Sequence, residues 1–170
     1  MEWNTVTSDE TAREERGGSA MNESAVKIRL MKPDDFEAIV RIDERILKVS
    51  RRDAYKLKFE RLVESADYVP TSLVAENKDG KVVGFVMGVL YIGTSGETQE
   101  KATMDVFGID PDYQHKGIGK RLINEFVDHI KSLGIHRINM LVHWDDAQLV
   151  PFLSKNMFKP TTTINLVREL

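Results

Sequence analysis

The 170-residue chain contains no cysteine, and this absence excludes several kinds of chemistry. Disulfide bonds, thiolate metal ligands and a cysteine nucleophile that carries an acyl group are all ruled out. The chain also has no apolar run near the ~20 residues that a membrane-spanning helix requires. Its first residues lack the basic and apolar regions of a signal peptide. We therefore expect a cytoplasmic protein that has no membrane partner.

Positive charge is not in excess either, because the formal net charge is −3. The basic residues alternate with acidic ones along the predicted helices, which is unlike a nucleic-acid-binding surface. The histidines form neither an HExxH motif nor a facial triad. They are His115, His129, His136 and His143. We expect neither a metal site nor a nucleic-acid partner.

Large apolar side chains are scarce in residues 1–24, where Met1, Trp3 and Val6 are the only ones before Met21. Such a segment cannot bury enough surface to offset the entropy lost on ordering. The remaining length has room for one hydrophobic core. We predict a disordered arm over residues 1–24 and one domain over residues 25–170.

Residues 101–130 carry the most informative pattern in the chain. An apolar strand over 105–109 ends at a proline, and the pattern QxxGxG of Gln114, Gly117 and Gly119 leads into an amphipathic helix over 119–133. Glycines allow a loop backbone to close around an anion, and the free N–H groups of a helix start favour a pyrophosphate. A merely structural turn is the alternative interpretation.

The rest of the chain predicts a mixed α/β protein with element order βααβββαβαβ. Strands are predicted over 26–30, 71–76, 81–91, 138–142 and 162–167, with helices from Pro33, over 52–65 and from 145 or 146 to 156. The first helix should bury Phe36, Ile39, Val40, Ile46 and Leu47. Asp43 falls on that apolar face, where it either marks a site or pairs with a nearby arginine.

The run IDPDYQHKGIGKRLI resembles the central motif of the GCN5-related N-acetyltransferase (GNAT) family, and a looser likeness extends from about Val26 to Leu170. The dinucleotide pattern GxGxxG and the Walker pattern GxxxxGK[ST] are both absent. The resemblance implies a single-domain fold with a mixed, mostly antiparallel central sheet flanked by helices. It also implies direct attack of a primary amine on acetyl-coenzyme A within a ternary complex.

In that family the pantetheine arm pairs with the motif strand and the pyrophosphate lies on the loop. The resemblance thereby implies that the cofactor binds at Phe107, Gly108, Ile109, Gln114, His115, Lys116, Gly117, Ile118, Gly119, Lys120 and Asp146. His115, Lys116 and Lys120 contribute length and basic charge beside a diphosphate. Asp146 stands where the family commonly has an asparagine, and an aspartate there could instead cap the short helix.

The usual catalytic side chains of the family are absent. Leu153 stands at the place of the common tyrosine acid, and Leu141 at the place of the glutamate found in some members. His143 and Asp105 are the candidates that we rank first, and Tyr91 and Asp43 follow.

Two further hypotheses remain open. One is an acyltransferase that uses a longer acyl-coenzyme A, and the other is a catalytically weak regulatory module that binds coenzyme A. The predicted last strand is apolar enough to seek an edge partner, so a homodimer is possible. Sequence alone does not identify the acceptor amine.

Overall fold

The computed structural model describes residues 26–64, 69–91, 101–162 and 166–169, with only the backbone of residues 61–64 and 91. The strands are β1 (Val26–Leu30), β2 (Leu73–Asn77), β3 (Val82–Tyr91), β4 (Lys101–Ile109) and β5 (Ile138–Asn139). The helices are α1 (Phe36–Leu47), α2 (Arg52–Glu64), α3 (Ile118–Ser132) and α4 (Leu149–Lys155). Short 3-10 turns at Pro33–Asp35 and Pro111–Tyr113 precede α1 and the loop before α3.

The five strands form one sheet in the order β1-β2-β3-β4-β5. The first four are antiparallel to their neighbours, whereas β5 runs parallel to β4 over only two residue pairs, Ala102 with Ile138 and Thr103 with Asn139. The expected α/β fold with a mixed, mostly antiparallel sheet is therefore confirmed.

The sheet separates two hydrophobic cores. Helix α3 covers one face through Ile118, Leu122, Ile123, Phe126 and Ile130, whose spacing of three or four residues places them on one side of the helix. Helices α1 and α2 cover the other face. There the buried side chains are Ile39, Val40, Ile42, Tyr55 and Phe59, packed on Val74, Val82, Phe85 and Met87.

Two predicted strands are corrected. β5 ends at Asn139 rather than at 142, and Leu141 is 80% exposed. The predicted strand over 162–167 is absent at Thr162, Leu166 and Val167, while residues 163–165 lie outside the described residues. A strand needs a neighbouring edge, and the two residues of β5 leave little edge for a sixth strand.

The apolar face of α1 also differs from its prediction at the C-terminal end. Ile46 and Leu47 are 36% and 47% exposed, whereas Ile42 is buried in their place. The helix ends at Leu47 because Lys48 adopts a left-handed conformation with φ 58°. The last turn of the helix therefore lies beyond most of the core that covers its first two turns.

Two further expectations fall outside the part of the chain that is described. They are the disordered arm at 1–24 and the side chain of the candidate Tyr91. Among the helices of the described ranges, none has the length and apolar character to cross a membrane.

Candidate active site

A β-bulge in β4 is the first feature of the site. Val106 lies opposite Met87 and Met104 lies opposite Gly88, so Asp105 has no residue opposite it on β3. A bulge places an extra residue in one strand and increases the local twist. The twist offers a physical reason for the separation of β4 and β5 just above the last pair, Thr103 with Asn139.

The bulge also changes which residues of β4 direct their backbone groups away from β3. Before the bulge in the chain, the N–H of Ala102 donates to the carbonyl of Arg137 beside β5 at 2.9 Å. After the bulge, the N–H of Asp110 donates to the carbonyl of Val83 at 2.9 Å. Because every second residue of an antiparallel strand bonds the same neighbour, Gly108 and Val106 also direct their backbone groups toward β3. The amides of Phe107 and Ile109 consequently face the side on which β5 has parted from β4. We call this stretch of β4, residues 104–109, the open edge.

The loop between β4 and α3 has alternating backbone conformations. His115 has φ 59° and Gly117 has φ 77°, both left-handed, whereas Gln114 between them and the strand is extended. Alternation of this kind turns successive N–H groups toward one point, as in anion-binding nests. The first N–H bonded within α3 is that of Arg121, which donates to Gly117 at 3.1 Å. The N–H groups of residues 118–120 thus belong to the free start of the helix.

Local hydrogen bonds hold this loop against β4. The Gln114 Nε2 donates to the carbonyl of Ile109 at 3.0 Å, and the Lys116 Nζ donates to the carbonyl of Asp112 at 2.7 Å. The Asp110 carboxylate accepts from the N–H of Asp112 at 3.1 Å. Gln114 therefore has a structural role in the motif, because its amide ties the loop to the end of the strand.

Arg45 of α1 links the opposite face of the sheet to the same loop. Its guanidinium bonds Asp110 at 2.5 Å and Asp112 at 3.0 Å. Asp110 is fully buried, and its Oδ2 has no hydrogen-bond partner among the described residues. The hydrogen bonds with Arg45 hold the pKa of Asp112 below its usual range.

Close packing of α3 and α4 on β4 explains the second glycine of the motif. A Cβ on Gly119 would lie 3.2 Å from Phe152 and 3.3 Å from Phe107. The rings of Phe107 and Phe152 stack with centroids 5.5 Å apart. Gly119 thus lets the start of α3 approach an aromatic pair that joins β4 to α4.

Two ion pairs lie on the face of the sheet that α1 and α2 cover. The Nζ of Lys58 on α2 contacts the Asp105 carboxylate at the bulge, and each side chain is about a third exposed. On the same face, Arg51 donates to the buried Asp43 at 2.9 and 2.5 Å. The second interpretation of Asp43, pairing with an arginine, is confirmed. Burial and the Asp43 carboxylate together raise the pKa of Tyr55, which is in contact with Arg51.

The remaining predicted residues lie in the segment between β5 and α4 and in α4 itself. His143 is exposed there and does not belong to a strand. Asp146 accepts from the N–H groups of Gln148 and Leu149 at 3.0 and 2.8 Å, so it caps the start of α4, as its alternative interpretation stated. Leu153 is buried in the core.

The structure therefore adds Lys58 and Arg45 to the candidate site. Both lie far in sequence from their partners, and the sequence contains no signal that pairs them. Within the described residues, no group of three or more histidine and acidic side chains could hold a metal ion.

Comparison with known proteins finds a matching family and relatives that align over most of this chain. The model of the acetyltransferase (GNAT) family matches residues 36–157. An acetyltransferase of Pectobacterium atrosepticum is 23% identical over 145 residues, which cover 85% of this chain and 96% of that protein.

Solved structures with the same fold include Ard1 from Thermoplasma volcanium, with a TM-score of 0.67 and 25% identity over 81% of this chain and 85% of that one. The aminoglycoside N-acetyltransferase AAC(6')-Iy in complex with coenzyme A aligns with a TM-score of 0.69 at 16% identity. That alignment covers 85% of this chain and 94% of the aminoglycoside enzyme.

Proposed function

This chain belongs to the acetyltransferase (GNAT) family, and we propose that it transfers an acetyl group from acetyl-coenzyme A to a primary amine by direct attack within a ternary complex. The observation that carries this proposal is the combination of an open strand edge with an anion-binding loop at its end. The first suits a chain of amides and the second suits a pyrophosphate. Acetyl-coenzyme A contains both groups, joined end to end.

The loop would hold the pyrophosphate chiefly through backbone N–H groups. His115 and Gly117 provide the left-handed conformations, and the free helix start at residues 118–120 provides donors and the positive end of the α3 dipole. Lys120 is exposed beside these donors. The side chains of the loop therefore leave the anion accessible, and their charge supports it.

The open edge would hold the pantetheine arm. Phe107 and Ile109 direct backbone groups toward it, and the carbonyl of Ile109 already accepts from Gln114. An arm paired with these residues would run along β4 from the loop, which follows Ile109, toward the bulge at Asp105. The distance from Ile109 to Asp105 is four residues, or about 13 Å. The reactive end of the donor would then reach the point where β4 and β5 part. In this arrangement a backbone N–H near Phe107 would stabilise the oxyanion, an interaction typically worth about 3 kcal/mol of activation free energy.

Asp105 is the residue that we propose to receive the proton of the acceptor ammonium. It lies at the bulge, on the face covered by α1 and α2, and its carboxylate already binds the ammonium of Lys58. His143 stays a second candidate, since it follows β5 on the other side of the separation. The buried Leu153 cannot donate a proton, so protonation of the leaving thiolate falls to solvent or to these groups.

The donor site can be tested with two charge reversals on α3. Lys120→Glu places a negative charge beside the proposed pyrophosphate, and Lys131→Glu makes the same change in the last turn, about 16 Å away. We expect Lys120→Glu to weaken acetyl-coenzyme A binding about tenfold, or about 1.4 kcal/mol, in titration calorimetry. Lys131→Glu should bind like the native chain, because the distance exceeds a Debye length of about 8 Å.

Stability separates binding from folding in this pair. An acidic residue is favourable at the start of a helix and unfavourable at its end, so Lys120→Glu should be the more stable variant although it binds more weakly. Equal affinities of the two variants, or native affinity in Lys120→Glu, would show that the pyrophosphate does not bind at this loop.

Catalysis can be followed through the thiol of released coenzyme A, because the chain has no cysteine of its own to react with a thiol reagent. A panel of primary amines should include aminoglycosides, polyamines and short peptides with free N-termini. Amine-dependent thiol release is the expected result.

Two alternatives give different results in the same assay. Tight binding without amine-dependent thiol release would favour a regulatory module that binds coenzyme A. The buried Leu153 at the place of the family's common acid supports that alternative. Faster thiol release from longer acyl donors than from acetyl-coenzyme A would favour the other alternative, an acyltransferase that uses a longer acyl-coenzyme A.

A further inference from the structure

We propose that Lys58 is itself an acceptor, so that the protein acetylates its own α2 helix from the donor held at the open edge. This inference rests on the proposed function, since it uses the same donor site. It adds a site of covalent modification on a side chain that the family motif does not include. The observation that carries it is the contact between the Lys58 ammonium and Asp105 at the bulge.

Position along β4 is the first argument. The last pair between β4 and β5 is Thr103 with Asn139, and Asp105 comes two residues later, about 7 Å further along the strand. A donor that pairs with Ile109 and Phe107 ends at this place. Lys58 therefore places a primary amine where an external amine would have to arrive.

The orientation of α2 is the second argument. Tyr55 and Phe59 are buried against the sheet. Lys58 lies on the same side of the helix, because it is three residues after Tyr55 and immediately before Phe59. Lys56 is two residues earlier, about 200° around the helix axis, and is exposed. The helix thus presents Lys58 to β4 and Lys56 to solvent.

Charge is the third argument. The Asp105 carboxylate is the group that would bind an incoming ammonium, and it already binds that of Lys58. An external amine must compete with this internal one. Acetylation of Lys58 removes its positive charge and frees Asp105 for an external substrate.

The reaction balances without a further reagent. The Lys58 ammonium loses one proton to solvent by way of Asp105, and the Nζ lone pair attacks the thioester carbonyl carbon. A C–N bond forms and the C–S bond breaks, with its electron pair leaving on sulfur. The second proton lost by nitrogen ends on the coenzyme A thiol. One lysine ammonium and one acetyl thioester give one acetyl-lysine, one thiol and one proton.

The test is mass spectrometry of the full chain after incubation with acetyl-coenzyme A and no added amine. We expect acetylation at Lys58 to exceed that at Lys56 more than tenfold, with a first-order rate independent of protein concentration. Lys58→Arg keeps a cation for Asp105 and should lose the modification, whereas Lys56→Arg should retain it. Asp105→Asn should slow the reaction at Lys58 and leave the slow background at Lys56 unchanged.

The outcomes separate this inference from the proposed function. Equal occupancy at Lys56 and Lys58 indicates ordinary chemical acetylation and overturns the inference. A chain that binds acetyl-coenzyme A and releases thiol with external amines, yet leaves Lys58 unmodified, overturns the inference and keeps the function. A folded chain that does not bind acetyl-coenzyme A overturns both.

Discussion

The two sides of β4 are built in different ways. On one side lies the donor region, residues 104–120, whose internal hydrogen bonds are short-range: Gln114 with Ile109, Lys116 with Asp112, and Asp112 with Asp110, separated by at most 5 residues. On the other side lies the helix face, formed by α1 and α2. Its contacts with β4 and the loop after it join residues far apart in sequence, such as Lys58 with Asp105, 47 residues apart, and Arg45 with Asp112, 67 apart.

This difference has a functional meaning. On the function proposed above, the donor region would bind the part of the substrate that the family shares, chiefly with backbone groups. The helix face would meet the acceptor, which varies, with its side chains. Three predictions test how independent these two regions are.

The largest effect is expected from Asp110→Ala, because Asp110 joins the two regions. Its buried carboxylate accepts from the N–H of Asp112 and pairs with Arg45 of α1. Removing it takes away a cap and a buried ion-pair partner, so we expect the free energy of unfolding in urea to fall by about 3 kcal/mol. Acetyl-coenzyme A binding should weaken as well, since the loop loses its anchor.

Asp112→Ala is the matched control for this substitution. The Asp112 side chain is 65% exposed and pairs with the same arginine. Exposed ion pairs contribute little, so its unfolding curve should overlie the native one. Similar losses from the two variants would show that burial of Asp110 is not what joins the regions.

A smaller effect is expected from Gly117→Ala, which acts on the donor region alone. Gly117 has φ 77°, where a Cβ costs about 1 to 2 kcal/mol. We expect a loss of stability of that size and weaker acetyl-coenzyme A binding in calorimetry. Gly117→Asn should recover part of both, because asparagine tolerates this conformation better than alanine. If Asn loses as much as Ala, side-chain bulk rather than backbone strain is the cause.

The smallest effect, on the helix face alone, is a pH dependence through Asp35 at the start of α1. Burial by itself would raise the pKa of Asp35, but hydrogen bonds from Arg29 and from the Lys32 N–H outweigh it, so the pKa is lowered. The unfolded chain therefore binds a proton more readily than the folded one. The stabilisation is complete above the unfolded value of about 3.9 and is lost as the pH falls through the lower folded value.

Urea unfolding at neutral pH and at successively lower pH below 4 measures this term. The native chain should lose stability over that interval more steeply than Asp35→Asn, which has no carboxylate to protonate. Parallel curves for the two proteins would rule out Asp35 as the source. Amide exchange should show the loss of protection in α1 before α3, because Asp35 lies at the start of α1.

The same contrast explains what the sequence could predict. The loop and α3 were predictable because a left-handed glycine, a helix start and an apolar stripe are all local requirements, and they lie within residues 105–133. The pairing of Asp43 was predicted as one of two alternatives, because Arg51 is only 8 residues away.

What the sequence could not predict depends on tertiary structure. Nothing local indicates that Lys58 meets Asp105, or that the pairing of β4 with β5 ends just before a bulge at Asp105. The apolar run at 138–142 favours a longer strand, but a strand also needs a partner beside it. The choice between His143 and Asp105 as proton acceptor stays a prediction.

The bulge has one more consequence, which concerns the protein when no donor is present. An unpaired strand edge is a template onto which any extended chain can add. On the binding mode proposed above, acetyl-coenzyme A supplies the missing strand and shields the edge from 104 to 109. The concentration of the donor would then govern how long the protein resists aggregation during storage, as well as its rate of turnover. Protein kept with coenzyme A should remain monodisperse for longer than protein from which the coenzyme has been dialysed away.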